Sequence, residues 1–359
     1  MGSVDWASLP EGFLQGLSAQ PNARLVCRSW GREIALGVTK LSVSGEPPRD
    51  GIFGVFACIT HLEWICVYRR SLQSVSLIHL HSLVIEYCKN EVLLEICTAV
   101  ELPCLTLLDV SWSDDLTKKG LQELWRLTRL QSLDLRGCER IRTCNISNPG
   151  LTSLHMGALK RLERTAFVRN LHSLTALDFT YCENISCVSG ISSLHSLRLL
   201  SLKGTAIRTV GDCLPPLSLT SLDLSSCTDL LSLNGLGRLS ALTSLGLNSS
   251  RVTDAMLQEI CEQLGAHGAL RHLDLTHSHL AGYERVTDDG LKEVSRIRSL
   301  TSLVLDYNYH ITDVGLAHVG RLTSLTSLDL WQCSKITEEG LSELKGKLES
   351  LTTTERLKN

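Results

Sequence analysis

Leucines recur along the chain in a short phrase with fixed spacing. The clearest copy runs from Leu219 to Cys227 and reads LTSLDLSSC, with leucine at its first, fourth and sixth positions. Side chains alternate along an extended strand, so Leu222 and Leu224 lie on the same side. The phrase therefore predicts a short strand with one buried side, followed by a turn at the ninth position.

The phrase is repeated through most of the chain. Further copies begin at Leu80, Leu105, Leu130, Leu151, Leu174, Leu197, Leu242, Leu270, Leu300 and Leu325. Successive starts are 21 to 30 residues apart, and weaker copies begin near Val38 and Ile59. A period in the twenties with this pattern is typical of leucine-rich repeats, which stack because one repeat cannot bury its apolar side alone. We expect an α/β solenoid of about 12 to 13 repeats, a curved horseshoe with parallel strands on its concave face.

The segments that return from one strand to the next change in character along the chain. LTKKGLQELWRL, from Leu116 to Leu127, predicts a helix capped by Thr117. The middle returns are rich in Gly, Pro and Ser, which favours extended or 3₁₀ backbone. The late returns carry an I/V-T-D-x-G-L phrase, in which Thr suits a helix N-cap and the acid suits the positive helix end. The convex side is thus predicted to mix helix and 3₁₀ structure.

The pattern divides the chain into three parts. Residues 1–40 form a separate helical segment, 41–345 form the repeats, and 346–359 form a C-terminal cap or tail. We expect the polar tail after Lys345 to end as a fraying helix.

The N-terminal segment has two interpretations. Leu9-Pro10-Glu11 opens a predicted helix, and Pro21-Asn22 separates it from a second one. Two such helices could simply cover the open end of the solenoid, which repeat arrays require. This interpretation makes the chain a leucine-rich scaffold or regulatory protein.

Two phrases of that segment also resemble an F-box. These are Leu9-Pro10-Glu11 and Arg24-Leu25-Val26-Cys27-Arg28-Ser29-Trp30, although the spacer between them is about six residues shorter than in the family. F-boxes commonly precede cysteine-containing leucine-rich repeats. The resemblance implies a substrate-recognition subunit of an SCF-type (cullin-RING) ubiquitin ligase, with the repeats holding a protein substrate. It places Leu9, Pro10, Phe13 and Leu14 at the surface for a Skp-family adaptor.

Composition and charge narrow the function classes. The net charge is only −3 and there is no basic block, so nucleic-acid binding is not expected. There is no apolar run of about 18 residues and no secretory segment, so the predicted location is cytoplasmic, nuclear or both, without membrane association. There is no phosphate-binding loop, G-x-S-x-G or H-E-x-x-H motif, so we expect no enzyme and no cofactor.

The chain has fourteen cysteines, and five of them occupy the ninth repeat position. They are Cys88, Cys138, Cys182, Cys227 and Cys333. No C-x-x-C pair is present, and His277-x-His279 lacks an acidic third ligand, so no metal site is expected. We predict reduced, buried thiols at the ninth position.

A partner would meet the strand positions that the leucines leave exposed. The fifth position is often Asp. These acids either form a line of negative charge across successive repeats or are an ordinary feature of such repeats. The seventh and eighth positions vary, and exposed aromatic side chains there are typical of binding hot spots. The predicted partner-binding residues are Trp112, Arg136, Tyr181, Lys203, His277, Tyr307, Asn308 and Trp331, with the main patch at His277, Tyr307, Asn308 and Trp331. Alternatively, some of these rings only pack on neighbouring repeats.

Overall fold

A computed structural model describes residues 40–44, 60–65, 77–99, 102–211, 214, 218–276 and 286–354. The chain forms two compact units, Met1–Arg161 and Leu162–Asn359. Each unit is built on parallel strands joined by return segments. The N-terminal helices predicted for residues 1–40, including Leu9, Pro10, Phe13 and Leu14, lie outside the described residues, and so does His277.

Six strands are described in the first unit. They are β1 (Lys40–Ser44), β2 (His61–Ile65), β3 (Ser82–Glu86), β4 (Leu107–Asp109), β5 (Ser132–Asp134) and β6 (Ser153–His155). Each strand pairs in parallel with the next, and the register places the fourth-position leucines Leu83, Leu108 and Leu133 side by side. The weak copies near Val38 and Ile59 coincide with β1 and β2, as predicted.

Eight strands are described in the second unit. They are β7 (Ala176–Asp178), β8 (Leu199–Ser201), β9 (Ser221–Asp223), β10 (Ser244–Gly246), β11 (His272–Asp274), β12 (Ser302–Val304), β13 (Ser327–Asp329) and β14 (Thr352–Thr354). All pair in parallel with their sequence neighbours, and Leu222, Leu245 and Leu273 again share one register. The parallel strand arrangement that the leucine spacing predicted is confirmed.

The core consists of the phrase leucines. In the repeat from Leu219, the leucines at positions one, four and six are each at most 1% exposed. Phe179 takes the sixth position of its repeat and is fully buried. Replacing one such leucine with Ala removes packing on both neighbouring repeats and typically destabilises a protein by about 2–5 kcal/mol.

The return segments contain six described helices. They are α1 (Asn90–Ala99), α2 (Lys118–Leu121), α3 (Asp254–Leu264), α4 (Asp288–Val294), α5 (Asp313–Val319) and α6 (Glu338–Lys347). The predicted helix Leu116–Leu127 is split into α2 and a 3₁₀ turn, Leu124–Arg126. Sequence analysis missed α1, although Leu93, Ile96 and Cys97 have helical spacing and are buried.

The middle returns contain short 3₁₀ turns, as the sequence predicted. These turns are Ala166–Asn170, Ile191–Ser193 and Leu236–Arg238. Gly190 and Gly235 precede two of them at φ 91° and 101°, a left-handed conformation that glycine adopts at little cost.

The predicted threonine caps are confirmed in α2 to α6. The hydrogen bonds that join some of these caps to a neighbouring repeat were not predicted. The caps of α4, α5 and α6 also bond the preceding repeat. Asp254 accepts from both the N–H (2.9 Å) and the hydroxyl (2.6 Å) of Thr287, the N-cap of α4. A Cβ at Gly290 would collide with that Asp254 carboxylate, so the glycine leaves room for the acid.

The same three-residue contact recurs twice in the second unit. Asp288 bonds Thr312 beside Gly315, and Asp313 bonds Thr337 beside Gly340. In the first unit Asn90 bonds the N–H and hydroxyl of Thr117 beside Gly120. We call this arrangement the acid–threonine–glycine ladder, with Asn90 in place of the acid at its first-unit member.

The expected helical tail is wrong over the residues that the structure describes. Helix α6 ends at Lys347, and Thr352–Thr354 form β14 on β13 instead. Three consecutive β-branched residues favour a strand over a helix, which explains the difference. Among the described helices, none is long and apolar enough to cross a membrane.

Candidate protein-binding site

The eighth repeat position has an uncommon backbone conformation. Its described non-glycine members have φ between 55° and 62°, and its described glycines, Gly137 and Gly204, have φ 71° and 66°. These non-glycine members are Tyr87, Trp112, Ala158, Tyr181, Ser226, Ser249, Tyr307 and Gln332. We call these positions together the eighth row. A left-handed conformation is rare for bulky side chains and costs each about 1–2 kcal/mol.

A hydrogen bond between repeats accounts for this conformation. The N–H of Trp112 donates to the carbonyl of Arg136 in the next repeat at 2.6 Å. Tyr181 donates in the same way to Lys203 at 2.6 Å, and Tyr307 to Trp331 at 2.7 Å. The left-handed turn aims the eighth N–H across to the neighbouring repeat, so the stacking contact offsets the backbone strain.

The ninth row lies inside the solenoid. Several of its side chains donate to the sixth-position carbonyl of the preceding repeat, as in Cys138 Sγ to Val110 O at 3.3 Å, whereas Thr205 bonds the sixth-position carbonyl of its own repeat. The thiols of Cys227 and Cys333 bond Leu202 O and Leu305 O at 3.1 Å. These bonds join buried groups of neighbouring repeats. The polar, compact residues of this row therefore serve the packing of one repeat on the next.

Asn308 belongs to this buried row, so its placement in an exposed patch was wrong. Its side chain is 2% exposed, and its amide nitrogen donates to Leu275 O at 3.0 Å and Leu305 O at 2.8 Å. The ninth position turns the amide inward, where two backbone carbonyls use it. A partner cannot reach this side chain.

The buried thiols have weak acidity. Burial raises the pKa of Cys138 to about 12 and that of Cys333 to about 11, and it also raises the pKa of Cys88 and Cys227. A thiol that ionises only at high pH is a poor nucleophile at neutral pH. The ten described cysteines form no disulfide.

The eighth row carries the most exposed aromatic rings on the strand side. Tyr87, Trp112 and Tyr181 are 60%, 62% and 48% exposed. Trp112 lies against Gly137 and Tyr181 against Gly204, since a Cβ at either glycine would collide with the ring. Trp112 and Tyr181 are thus each supported by a glycine of the next repeat and exposed to solvent. Tyr307 and Trp331 are half-buried.

Two basic residues accompany these rings. Arg136 Nη2 lies 2.6 Å from Asp134 Oδ2, while about half of the arginine side chain stays exposed. Lys203 Nζ lies 5.8 Å from the centre of the Tyr181 ring, within cation–π range. Both predicted partner-binding cations therefore stand beside a predicted aromatic, Arg136 in the repeat after Trp112 and Lys203 in the repeat after Tyr181.

The fifth-position acids serve the turn. Asp109, Asp178 and Asp223 each accept, through Oδ1, the N–H two residues further on, at 2.8–2.9 Å. This local bond is typical of aspartate in turns. The structural interpretation of these acids is therefore favoured over a continuous line of free negative charge.

Sequence analysis overlooked Tyr87 as a binding residue. Tyr87 occupies the eighth position counted from Leu80, the same position as Trp112 in the next repeat. Counting that position strictly would have placed Tyr87 next to Trp112. The structure brings together Tyr87 with Trp112, Trp112 with Arg136, Tyr181 with Lys203, and Tyr307 with Trp331, each in neighbouring repeats.

No protein-family model and no curated protein matches the chain. Solved structures do resemble it. An internalin, InlF, of Listeria monocytogenes has 21% identity and a TM-score of 0.54, covering 91% of this chain and 89% of that one. The mouse RP105/MD-1 complex gives 19% identity and a TM-score of 0.60, covering 92% and 59%.

A third similar structure is the functional domain of Listeria monocytogenes InlJ, which includes a cysteine ladder. It shares 16% identity with a TM-score of 0.52, covering 89% of this chain and 76% of that one. The fold is a leucine-rich repeat solenoid. At these identities the likeness concerns the fold alone, and the binding site must be argued from the side chains of this chain.

Proposed function

We propose that this chain is a protein-recognition module that binds partners through the exposed side chains of its eighth row. The observation that carries this proposal is the pairing of exposed Trp112 and Tyr181 with supporting glycines in the next repeat. Large rings that are already held in place lose little freedom on binding and dominate interface energetics. RP105 was solved in a complex with MD-1, which supports binding as the use of such a repeat array.

Binding rather than catalysis is the activity that the described residues favour. The buried thiols with resolved shifts all have raised pKa values, which lowers their nucleophilicity. The aspartates of the fifth row hold turns together. We therefore propose a non-enzymatic role.

The specific role that we propose is substrate recognition in a cullin-RING ubiquitin ligase. Its support is the resemblance of Leu9-Pro10-Glu11 and Arg24–Trp30 to an F-box, followed by cysteine-containing repeats. In this role Leu9, Pro10, Phe13 and Leu14 contact a Skp-family adaptor, and the eighth row holds the substrate. The alternative is a repeat scaffold whose N-terminal helices only cap the array.

Co-purification separates the two roles. The tagged chain is expressed with a Skp-family adaptor, beside a Leu9→Ala, Pro10→Ala, Leu14→Ala triple variant and a Trp112→Ala, Tyr181→Ala double variant. The ligase role predicts that the triple variant loses the adaptor while the double variant keeps it. A folded native chain that retains no adaptor would leave the scaffold role.

A further inference from the structure

Two of the most exposed rings occupy neighbouring repeats of the first unit. The register pairs Val84 of β3 with Asp109 of β4, and the Cys88 N–H donates to Ser113 Oγ at 2.7 Å. Tyr87 and Trp112 therefore leave the backbone one strand spacing apart, ~4.8 Å. Trp112 rests against Gly137, so its free face points away from the next repeat.

Three carboxylates lie within three residues of these rings along the chain. Glu86 precedes Tyr87, Asp109 ends the strand before Trp112, and Asp114 follows it as an exposed side chain. Among the described residues, none of these three acids is in an ion pair. Only one oxygen of Asp109 is used, by the Ser111 N–H.

The neighbouring cations are already engaged within the chain. Arg136 is bonded to Asp134, and Arg140 Nη1 lies 3.1 Å from Asp115 Oδ1. Lys89, two residues after Tyr87, is half-buried. The surface around the two rings therefore has an excess of negative charge that is not matched locally.

We propose that Tyr87, Trp112, Glu86, Asp109 and Asp114 bind a basic, extended segment of a partner protein, with an arginine or lysine side chain over the free face of Trp112. Aromatic faces attract cations, tryptophan most strongly, and nearby carboxylates add attraction while disfavouring acidic partners. This proposal rests on the proposed recognition function and names its partner class.

The second unit offers a matched contrast. Tyr181 is supported by Gly204 just as Trp112 is by Gly137, but its ring already has the chain's own Lys203 beside it. An incoming cation would be repelled there. We therefore expect an arginine or lysine of the partner to prefer Trp112 over Tyr181.

The test uses the full chain and synthetic peptides of about twelve residues, long enough when extended to cross several strands. An Arg-Ser repeat is compared with a Glu-Ser and a Gln-Ser repeat by fluorescence anisotropy. We expect only the Arg-Ser peptide to bind, more weakly at high salt, because screening reduces the attraction of exposed charges.

The variants assign that binding to the proposed surface. Trp112→Ala is expected to weaken Arg-Ser binding at least about tenfold, and Asp114→Asn about two- to threefold. Trp125→Ala, at an exposed ring of a return segment, should have no effect. Circular dichroism and thermal melting confirm that each variant is folded.

Two results would overturn the proposal: equal or tighter binding of the Glu-Ser peptide, or unchanged Arg-Ser binding in Trp112→Ala. Glu-Ser binding that depends on Trp112 would refute the basic partner but keep the recognition function. Loss of the adaptor in the co-purification experiment affects neither readout, because the peptides bind the purified chain alone.

Discussion

The eighth and ninth positions of each repeat are neighbours in the chain, yet their side chains meet opposite surroundings. Ninth-row side chains such as Cys227 are buried and bond a carbonyl of the preceding repeat. Eighth-row side chains such as Trp112 are exposed, and there the backbone N–H makes the contact between repeats. The ninth row is thus restricted by the fold, while the eighth row can vary.

This difference separates stability from recognition. A substitution in the ninth row removes a buried hydrogen bond between repeats, as at Cys227, whereas one in the eighth row keeps the backbone bond. The eighth row indeed holds Tyr, Trp, Ala, Ser, Gln and Gly, all in the left-handed conformation. Variation that does not disturb the solenoid is what a binding surface requires.

Asn308→Leu tests the demands of the ninth row and has the largest expected effect. It removes the donor to Leu275 O and Leu305 O. The loss of these two buried side-chain hydrogen bonds should lower the free energy of unfolding by about 3 kcal/mol. Urea denaturation measures the loss. A variant as stable as the native chain would contradict the role assigned to this row.

Gly137→Val tests how the eighth row supports its rings. The new side chain would collide with Trp112 and be held at a φ of 71°. We expect a loss of roughly 2 kcal/mol in urea denaturation.

A Trp112→Gly, Gly137→Val double variant is the control. Removing the ring should restore part of the stability, since only the backbone strain remains. Equal losses with and without the ring would show that Trp112 does not rest on Gly137.

The buried thiols, including those of the ninth row, should make the stability depend on pH in the alkaline range. The pKa of Cys138 is about 12 and that of Cys333 about 11 in the folded chain, against an ordinary 9.0. Unfolded thiols ionise first, so this stabilisation is complete below pH 9 and is lost as the pH rises towards 11 to 12. The free energy of unfolding should fall by roughly 1.4 kcal/mol per pH unit for each thiol.

Urea denaturation between pH 8 and 10 measures that slope. A Cys138→Ala, Cys333→Ala double variant should show a shallower slope than the native chain. Cys187→Ala, at an exposed cysteine, should leave it unchanged. The same slope in all three proteins would exclude the ninth-row thiols as its source.

Tyr181→Ser should have the smallest effect on stability. Serine occupies the same left-handed position at Ser226 and Ser249. We expect a change within about 0.5 kcal/mol by urea denaturation, since a surface substitution leaves the backbone bond intact. A loss above about 2 kcal/mol would place the eighth row in the core and end the distinction between the rows.

The sequence predicted what depends on periodicity. Leucine spacing gave the parallel strands, and threonine beside an acid gave the starts of α3 to α6, because both are local patterns with a single physical reason. It also placed the cysteines of the ninth row inside. Asn308 was wrongly predicted to be exposed because it was grouped with its neighbour Tyr307. Its ninth position in the phrase already assigned it to the buried row.

The left-handed eighth row could not be predicted in the same way. Tryptophan and tyrosine rarely adopt a positive φ, so their presence at Trp112 and Tyr181 argued against the conformation that the structure has. Only Gly137 and Gly204 hinted at it. The bond that fixes this row joins two repeats about 25 residues apart, and the residues of a single repeat do not reveal it.

The acid–threonine–glycine ladder has a consequence for how such an array can change in length. The repeats of α4 and α5 each carry a threonine that donates to the acid of the preceding repeat and an acid that accepts from the threonine of the following repeat, as Thr287 and Asp288 do. A duplicated copy of such a repeat would bring both the threonine and the acid. It could therefore bond the repeat before it and the repeat after it. Lys118 in the first unit and Glu338 in the second stand where the acid would be, and neither offers the short carboxylate that Asp254, Asp288 and Asp313 provide. Duplication of a repeat between α3 and α6 is therefore compatible with the ladder. The ladder runs in one direction along the chain, because each threonine donates to the acid of the repeat before it.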